Sequence, residues 1–303
     1  MQSSMNFADR ALLWFFMLAI SLIAVRAYRV AEWLALIGVN VVCMGLITVF
    51  IVMRRRNEFW RFVHDWYPMA MFIVCFEEVS RLSFVIRDGW QDHFLLALEA
   101  KLFAVPPTVW LGQHGSGWTT EILEIGYFSY FVLLMIVAGM LYPGQDRRKF
   151  RRVMDATVLA YLVCYAIFIL FPTEGPAHTL AGSHLSPLPG GGPFHWMVEI
   201  IQRNAGVHGN AFPSAHVAGA VVALFFAWQY LPRVRWVLTV LVSLLCVGAV
   251  YDRYHYASDV VAGALVGLGS ALWIIVARRN EASNHDAVRV HGNNVLHPEA
   301  VDP

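Results

Sequence analysis

Long apolar runs almost free of charge recur along the chain, and each is a candidate helix across a membrane. A helix needs about 20 residues to cross a hydrocarbon layer roughly 30 Å thick. In lipid only helices and closed barrels satisfy the backbone, and no run alternates with the period of two that barrel strands need. The composition agrees, since 58% of the 303 residues are hydrophobic and 14% are charged. We therefore predict an all-α integral membrane protein, a bundle of about eight transmembrane helices at about residues 11–25, 34–53, 67–86, 126–142, 156–172, 211–232, 236–251 and 260–277.

The basic residues between the predicted spans indicate an orientation. If segments 1–10, 54–66, 143–155, 231–235 and 278–303 share one side, that side holds 15 of the 22 Lys and Arg residues. By the positive-inside rule both termini are then cytoplasmic. The expected location is a bacterial plasma membrane, with the remaining loops on its non-cytoplasmic face.

We expect three parts along the chain: an N-terminal pair of transmembrane helices at 1–60, a larger membrane domain at 61–277, and a flexible cytoplasmic tail at 278–303. Two long connections, at about 87–125 and 173–210, fall on the non-cytoplasmic side. The first contains "DHFLLALEAKLF", which is typical of an amphipathic helix lying in the interface. The second contains "PLPGGGP", which excludes regular helix. Connections this long often serve as lids or binding elements.

The stretch "NAFPSAHVAG" at 210–219 places polar residues where a span begins on the non-cytoplasmic side. Pro213 suits the first turn of a helix, because the N–H that it lacks would have no partner there. The free amides and dipole of such a helix start attract phosphate. Asn210, Pro213 and Ser214 are the phosphate-binding candidates, and His216 adds a titratable imidazole. Taken alone, the motif fits a capped helix with a structural histidine equally well.

The stretch "YDRYHYASDVVAG" at 251–263 begins the last span on the same side. His255 and Asp259 are four residues apart and would share one face of a helix. The aspartate can accept the Nδ1–H of the imidazole, which leaves Nε2 free as a nucleophile. Arg253 is a candidate to neutralise phosphate oxygens. A His–Asp pair that only holds the end of a helix is the alternative for this motif alone.

Together the two motifs supply what phosphoryl transfer through a phosphohistidine requires, namely an oriented nucleophile, a second imidazole and an anion site. "PSAH", followed some forty residues later by "HYASDV", resembles the type 2 phosphatidic acid phosphatase superfamily. Within it, the chain is more similar to the branch of inositol phosphorylceramide and sphingomyelin synthases than to the soluble acid phosphatases. The last motif of that branch is His-Tyr-x-x-Asp, as in His255, Tyr256 and Asp259. "FPTEGPAH" is also similar to the inositol branch, and "LEAKLFAVPP" and "GYFSYF" are so more weakly.

The resemblance, which covers about residues 60–277, implies a fold and a chemistry. The fold would be a six-helix catalytic core, here preceded by two N-terminal helices and accompanied by interfacial amphipathic helices. His255 would attack phosphorus, Asp259 would orient it, and His216 would protonate the leaving lipid oxygen. Ser214 and the amides that follow Pro213 would hold the phosphate. No metal or other cofactor is expected.

Other positions of this chain match the family less completely. Glu174 and His178, in the loop similar to the inositol branch, are further substrate-binding candidates. The hydrolytic members usually carry Lys-x6-Arg-Pro, and neither lysine of this chain is followed by Arg-Pro. Their Ser-Arg pair before the second histidine is replaced by Gly248 and Ala249, which makes Arg253 the first candidate for the phosphate-binding cation. The missing cations favour the transferase branch.

The leading hypothesis is a metal-independent lipid phosphotransferase. It would move a phosphoryl-headgroup, with inositol phosphate as one candidate, from a glycerophospholipid or sphingolipid-like donor to a lipid alcohol. The alternative is a lipid phosphate phosphatase of the phosphatidic acid or isoprenyl phosphate type, which uses water as the acceptor. A remoter alternative is a transporter or scaffold that uses the charges of Glu77, Glu78 and Arg81 within a span. No pattern for nucleic-acid binding is present in the sequence.

Overall fold

The computed structural model describes residues 5–144, 146–184, 187–190, 192–205 and 209–296, with the side chains of 201–205 and 279–296 excepted. Every regular element within these ranges is a helix, as predicted. Short 3₁₀ turns occur at Ala27–Arg29 and Ala181–Ser183. The helices are α1 (Phe7–Val25), α2 (Trp33–Met53), α3 (Glu58–Arg81), α4 (Asp92–Leu102), α5 (Pro107–Gln113), α6 (Gly117–Leu141), α7 (Arg147–Leu170), α8 (Pro176–Thr179), α9 (Pro193–Ala205), α10 (Ala215–Tyr230), α11 (Arg235–Tyr251) and α12 (Ala257–Leu296).

Five of these helices are long and apolar enough to cross a membrane: α1, α2, α6, α7 and the Ala257–Arg278 part of α12. The pair α4 and α5, bent by 66°, counts as a sixth if it forms one broken span. Each of the eight predicted spans corresponds to a helix, so the bundle is confirmed but the count of eight is too high by these criteria. The reason is length and charge: α10 and α11 have 16 and 17 residues, and α3 carries charged side chains near both ends.

Two helix boundaries differ from the sequence-based expectation. The third span was predicted over 67–86, but α3 begins at Glu58, because the Asn57 side chain accepts the Trp60 amide at 2.9 Å and caps the helix there. The predicted tail from 278 is helical as far as Leu296, since no proline or paired glycines interrupt the chain before that point. The flexibility of this segment remains a prediction.

Close approach of α10 and α12 depends on two glycines of α12. A Cβ atom at Gly263 would lie 2.3 Å from the carbonyl oxygen of Ser214, and one at Gly267 would lie 2.3 Å from that of Ala218. Real Cβ atoms do not approach so closely, so only glycine permits this contact between the two backbones. The start of α12 is thereby held against the start of α10.

The N-terminal pair is part of the same bundle as the remaining helices. α1 and α2 pack on each other, α1 also packs on α7, and α2 packs on α3. Leu12 and Phe16 of α1 are fully buried in the core cluster that contains Val158 and Phe226. The predicted division at residue 60 therefore separates segments of sequence that share one hydrophobic core.

Polar contacts gather the basic segments at one end of the bundle, which we call the basic end. Arg147 Nη1 donates to Asp65 Oδ2 at 3.0 Å, and Arg152 Nη1 donates to the Tyr230 hydroxyl at 2.9 Å. The segments predicted to share one side therefore lie together, although their cytoplasmic placement remains a prediction. The opposite end, the site end, carries the segments 173–175, 210–216 and 252–259. Further contacts at the basic end join Asp9 to His64 and Arg278 to Asp155.

Candidate active site

Helix α4 positions the loops of the site end through two buried acids. Asp92 accepts the amides of Glu174 and Gly175, each at 2.8 Å, and the Tyr256 hydroxyl at 3.1 Å. Glu99 accepts the amide of Ser258 at 3.1 Å. The amphipathic helix expected from the sequence is present, but both acids face the protein interior instead of water. The sequence alone could not show this, because acidic residues on an amphipathic helix usually mark its solvated face.

Thr173 joins the segment 173–175 to the turn that precedes α10. Its carbonyl oxygen accepts the Ala211 amide at 3.3 Å, and its hydroxyl oxygen accepts the Phe212 amide at 2.8 Å. Gly175, at φ 104°, lies against Ala211 and the carbonyl group of Tyr254. These contacts fix the direction of the Ala211 carbonyl group, to which His255 is bound.

The structure corrects the predicted start of the span at 211–232. Ser214 is the N-cap of α10 and its hydroxyl oxygen accepts the Val217 amide at 3.4 Å. Pro213 therefore precedes the cap and does not lie in the first turn, because serine is the better cap and holds extended backbone there. The amides of Ala215 and His216 have no acceptor within the helix and lie at the positive end of its dipole.

His255 and Asp259 lie together, with a different hydrogen bond from the one predicted. His255 Nδ1 is 2.9 Å from the Ala211 carbonyl oxygen and 3.5 Å from Asp259 Oδ2. Asp259 Oδ2 accepts the Tyr256 amide at 2.9 Å, and its backbone carbonyl accepts the Ser214 amide at 3.0 Å. The carbonyl group is thus the nearer acceptor for Nδ1–H, which makes Nδ1 the protonated nitrogen and leaves Nε2 unprotonated.

Burial keeps the His255 ring neutral near neutral pH. The side chain is 6% exposed, and desolvation lowers its pKa to about 4, while the bond to the Ala211 carbonyl acts in the opposite direction. A neutral imidazole with a fixed tautomer is the form that can act as a nucleophile.

His216 lies beside His255 between two aromatic rings of α6. The two imidazole centroids are 5.8 Å apart, and His216 is 5.5 Å from the ring of Tyr127 and 4.4 Å from that of Tyr130. His216 is half-buried. Both tyrosines belong to "GYFSYF", to which the sequence analysis assigned no role. Two tyrosines three residues apart on one face of an apolar span were the signal that could have identified them.

The remaining candidates are distributed around this centre. Asn210, at φ 64°, donates from Nδ2 to Ser80 Oγ at 2.6 Å, so its side chain holds α3. Glu174 is half-buried and His178 is exposed on α8. Arg253, at φ 66°, is half-buried, with its guanidinium group against Gly112 of α5.

Two further positions lie close to Arg253 in the chain, Gly248 and Asp252. A Cβ atom at Gly248, which replaces part of the Ser-Arg pair expected from the resemblance, would lie 2.8 Å from the Leu123 carbonyl oxygen, so a side chain does not fit there. Asp252, which the sequence analysis missed, is 5% exposed, and burial raises the pKa of its carboxyl group well above the usual range. Its place directly before Arg253 in "YDRYHY" was the available signal.

The fold and the site define a helical membrane protein with two histidines and a carboxyl group gathered at one end of its bundle. Residues 93–273 match the family model of the PAP2 superfamily, and the chain belongs to this superfamily. It is also similar to a PA-phosphatase related-family protein of Dictyostelium discoideum, with 23% identity over 175 residues. That alignment covers 51% of this chain and 32% of the relative, so the chain matches about a third of the relative's length. No solved structure matches the chain.

Proposed function

We propose that the protein is a lipid phosphotransferase that works through a phosphohistidine at His255. The observation that carries this proposal is the hydrogen bond from His255 Nδ1 to the Ala211 carbonyl oxygen at 2.9 Å, which directs an unprotonated Nε2 away from its anchor. Membership of the PAP2 superfamily supports phosphoester chemistry on a lipid. The inositol phosphotransferase branch is favoured by "HYASD" and "FPTEGPAH" in the sequence.

In the first step, His255 Nε2 attacks phosphorus and the bond from phosphorus to the lipid oxygen breaks. The leaving oxygen takes a proton from His216, whose protonated form the negative phosphate favours. The phosphorylated His255 ring is cationic, and the Ala211 carbonyl oxygen and Asp259 Oδ2, 3.5 Å from Nδ1, stabilise it. The amides of Ala215 and His216 and the dipole of α10 hold the phosphate oxygens.

In the second step, the hydroxyl group of a lipid alcohol attacks the same phosphorus and gives its proton to His216. The bond between phosphorus and Nε2 breaks, and both histidines return to their first state. Metal participation is not needed in this scheme, because the backbone amides and Arg253 supply the positive charge. Asn210, Pro213, Ser214, Glu174 and His178 are proposed to shape the binding site around the headgroup.

Water in place of the alcohol would make the same site a phosphatase. The name of the Dictyostelium relative, a PA-phosphatase related-family protein, favours this second candidate. The two reactions share the covalent intermediate and differ only in the acceptor. Incubation of a headgroup-labelled glycerophospholipid with and without a lipid alcohol separates them, since only the transferase gives a new labelled lipid.

Trapping of the intermediate tests the proposal directly. Rapid acid-free quenching after addition of phosphorus-labelled lipid should leave label on His255, located by peptide mapping. His255→Ala should abolish both the label and turnover, and His216→Ala should slow turnover by about 100-fold or more. His114→Ala, at an exposed histidine, serves as the control and should behave as the unaltered protein. Full activity in the His255 variant would overturn the proposal.

A further inference from the structure

A second polar cavity lies at the basic end, far from the histidines. Its volume is about 240 Å³, and it opens where α2 ends and where α3 and α7 begin. From Asp65 to the end of α3 at Arg81, and from Arg151 to the end of α7 at Leu170, about 24–29 Å of helix separates this cavity from the site end. The cavity is lined by Arg54, Arg55, Arg61, His64, Asp65 and Arg151.

The charges around the cavity are strongly unbalanced. Arg61 is paired with Glu58 at 2.7 Å, and Asp65 is already bound by Arg147 from outside the lining. None of the ion pairs in the described part of the chain involves Arg54, Arg55 or Arg151. Four arginines therefore line one small space with a single carboxylate, Asp65, which interacts electrostatically with both Arg147 and Arg151. An anion bound there would offset this excess of positive charge.

The floor of the cavity is a fixed polar network. His64 is 2% exposed, and its Nε2 lies 3.2 Å from Asp9 of α1. Asp9 also accepts the Tyr67 hydroxyl at 2.8 Å, and Arg147 stacks on the ring of Tyr142. The arginines thus stand around a base of buried polar contacts that joins three helices.

We propose that this cavity binds the phosphate group of an anion at the membrane surface opposite the histidine site. The planar guanidinium fork matches phosphate oxygens in pairs, which a diffuse cationic surface does not. A volume of about 240 Å³ accommodates a headgroup and not a whole lipid, whose chains would stay outside. Phe59 and Phe62, which are exposed on the same first turns of α3 as Arg61, could contact such chains. The phosphate could be carried by a lipid or be free in solution, and binding does not depend on the reaction proposed for His255.

Photo-crosslinking of the full chain in phosphatidylcholine vesicles that contain a photoactivatable phosphatidic acid tests this site. The test variant is Arg54→Gln with Arg151→Gln, and the matched control is Arg56→Gln with Arg148→Gln. The control removes the same charge from the same helix ends, at exposed residues that do not line the cavity. The side chains changed in the test and control variants lie at the protein surface or at the rim of the cavity, so both variants should fold. Arg54→Lys with Arg151→Lys provides a second test variant, which retains the positive charge.

The expected result is labelling of peptides within 54–66 and 147–155. Each arginine should contribute about fivefold to the apparent affinity, so the glutamine variant should bind about 25-fold more weakly. The lysine variant should be intermediate, and the control should be unchanged. Labelling at 210–216, which reports the histidine site, should persist in every variant. An excess of inorganic phosphate that removes the label at the basic end would show free phosphate to be the ligand, which also supports the site. Equal loss in test and control variants, or no label at the basic end, would overturn the proposal.

Discussion

At the residue scale, the chemistry of His255 depends on the backbone of Ala211. The carbonyl group of that residue fixes Nδ1–H, and burial lowers the pKa of the ring to about 4. The spacing of His255 and Asp259 predicted their proximity, which the structure shows at 3.5 Å. The carbonyl partner could not be predicted, because Ala211 reaches the ring only through the fold of the turn at 210–214.

We expect activity to resist acid until the pH approaches about 4. Protonation of Nε2 removes the nucleophile, and the lowered pKa of His255 moves that step below the ordinary histidine value of 6.5. A profile of kcat/KM against pH reports the ionisation of the free enzyme and gives the midpoint directly. An acid limb centred near the ordinary histidine value of 6.5 would contradict this expectation and show the ring to be solvated.

Asp252 provides a prediction on stability. Because burial raises its pKa, the folded protein binds a proton there that the unfolded chain releases, so stability falls as the pH rises above about 3.8. Asparagine is neutral and similar in shape to aspartic acid. At neutral pH the thermal midpoint of Asp252→Asn in detergent should therefore equal or exceed that of the unaltered protein, and it should decline less as the pH rises. Asp88→Asn, at an exposed side chain, is the control. A midpoint that is lower for Asp252→Asn at neutral pH, but equal to that of the unaltered protein at low pH, would mean that the carboxylate is needed in ionised form.

At the scale of elements, the contact between α10 and α12 creates the site. Gly263 and Gly267 let the two backbones touch, and one turn before Gly263 the carbonyl group of Asp259 accepts the Ser214 amide at 3.0 Å. The spacing of Gly263 and Gly267 is typical of close helix packing. The partner helix could not be predicted, since spacing on one helix does not identify the surface that it meets.

Gly263→Ala should therefore impair both stability and catalysis. The new methyl group would lie 2.3 Å from the Ser214 carbonyl oxygen, so the helices must separate, at a cost of about 1–3 kcal/mol. Gly269→Ala on the same helix has nothing within 4 Å of the added atom and should be neutral or slightly stabilising. Chemical denaturation in mixed micelles and turnover of labelled lipid give the two measurements. Equal stability and equal turnover of the Gly263→Ala and Gly269→Ala variants would contradict the role of the contact between α10 and α12.

At the scale of the whole molecule, the bundle has two chemically different ends. The basic end collects arginines and the cavity described above, and the site end collects histidines and buried acids. The positive-inside rule predicts that the basic end is cytoplasmic. The uneven distribution of Lys and Arg among the segments between the helices was sufficient to predict which segments lie at the same end, because these residues are costly to move across a bilayer.

Single cysteines introduced at the two ends test this orientation. His178→Cys at the site end should react with a membrane-impermeant maleimide from the non-cytoplasmic side, and Arg56→Cys only from the cytoplasmic side. Cys43, Cys75 and Cys164 are buried and should give low background, and the half-buried Cys246 is replaced by serine in both variants. The extent of maleimide labelling of each variant is measured in right-side-out and in inverted vesicles. Labelling of His178→Cys only from the cytoplasmic side would place the site end in the cytoplasmic leaflet.

The sequence by itself determined the helical membrane class and located the helical segments, because apolar length is a local property of one chain. Residue spacing predicted the contact of His255 and Asp259, and the resemblance to a known family added His216 to that pair. Only the tertiary structure decided that Ala211 holds His255, that Asp92 and Glu99 face inward, and that α3 and α7 carry a second polar cavity at their other end. Such contacts join residues far apart in sequence, and they depend on which helix faces meet, which no local pattern specifies.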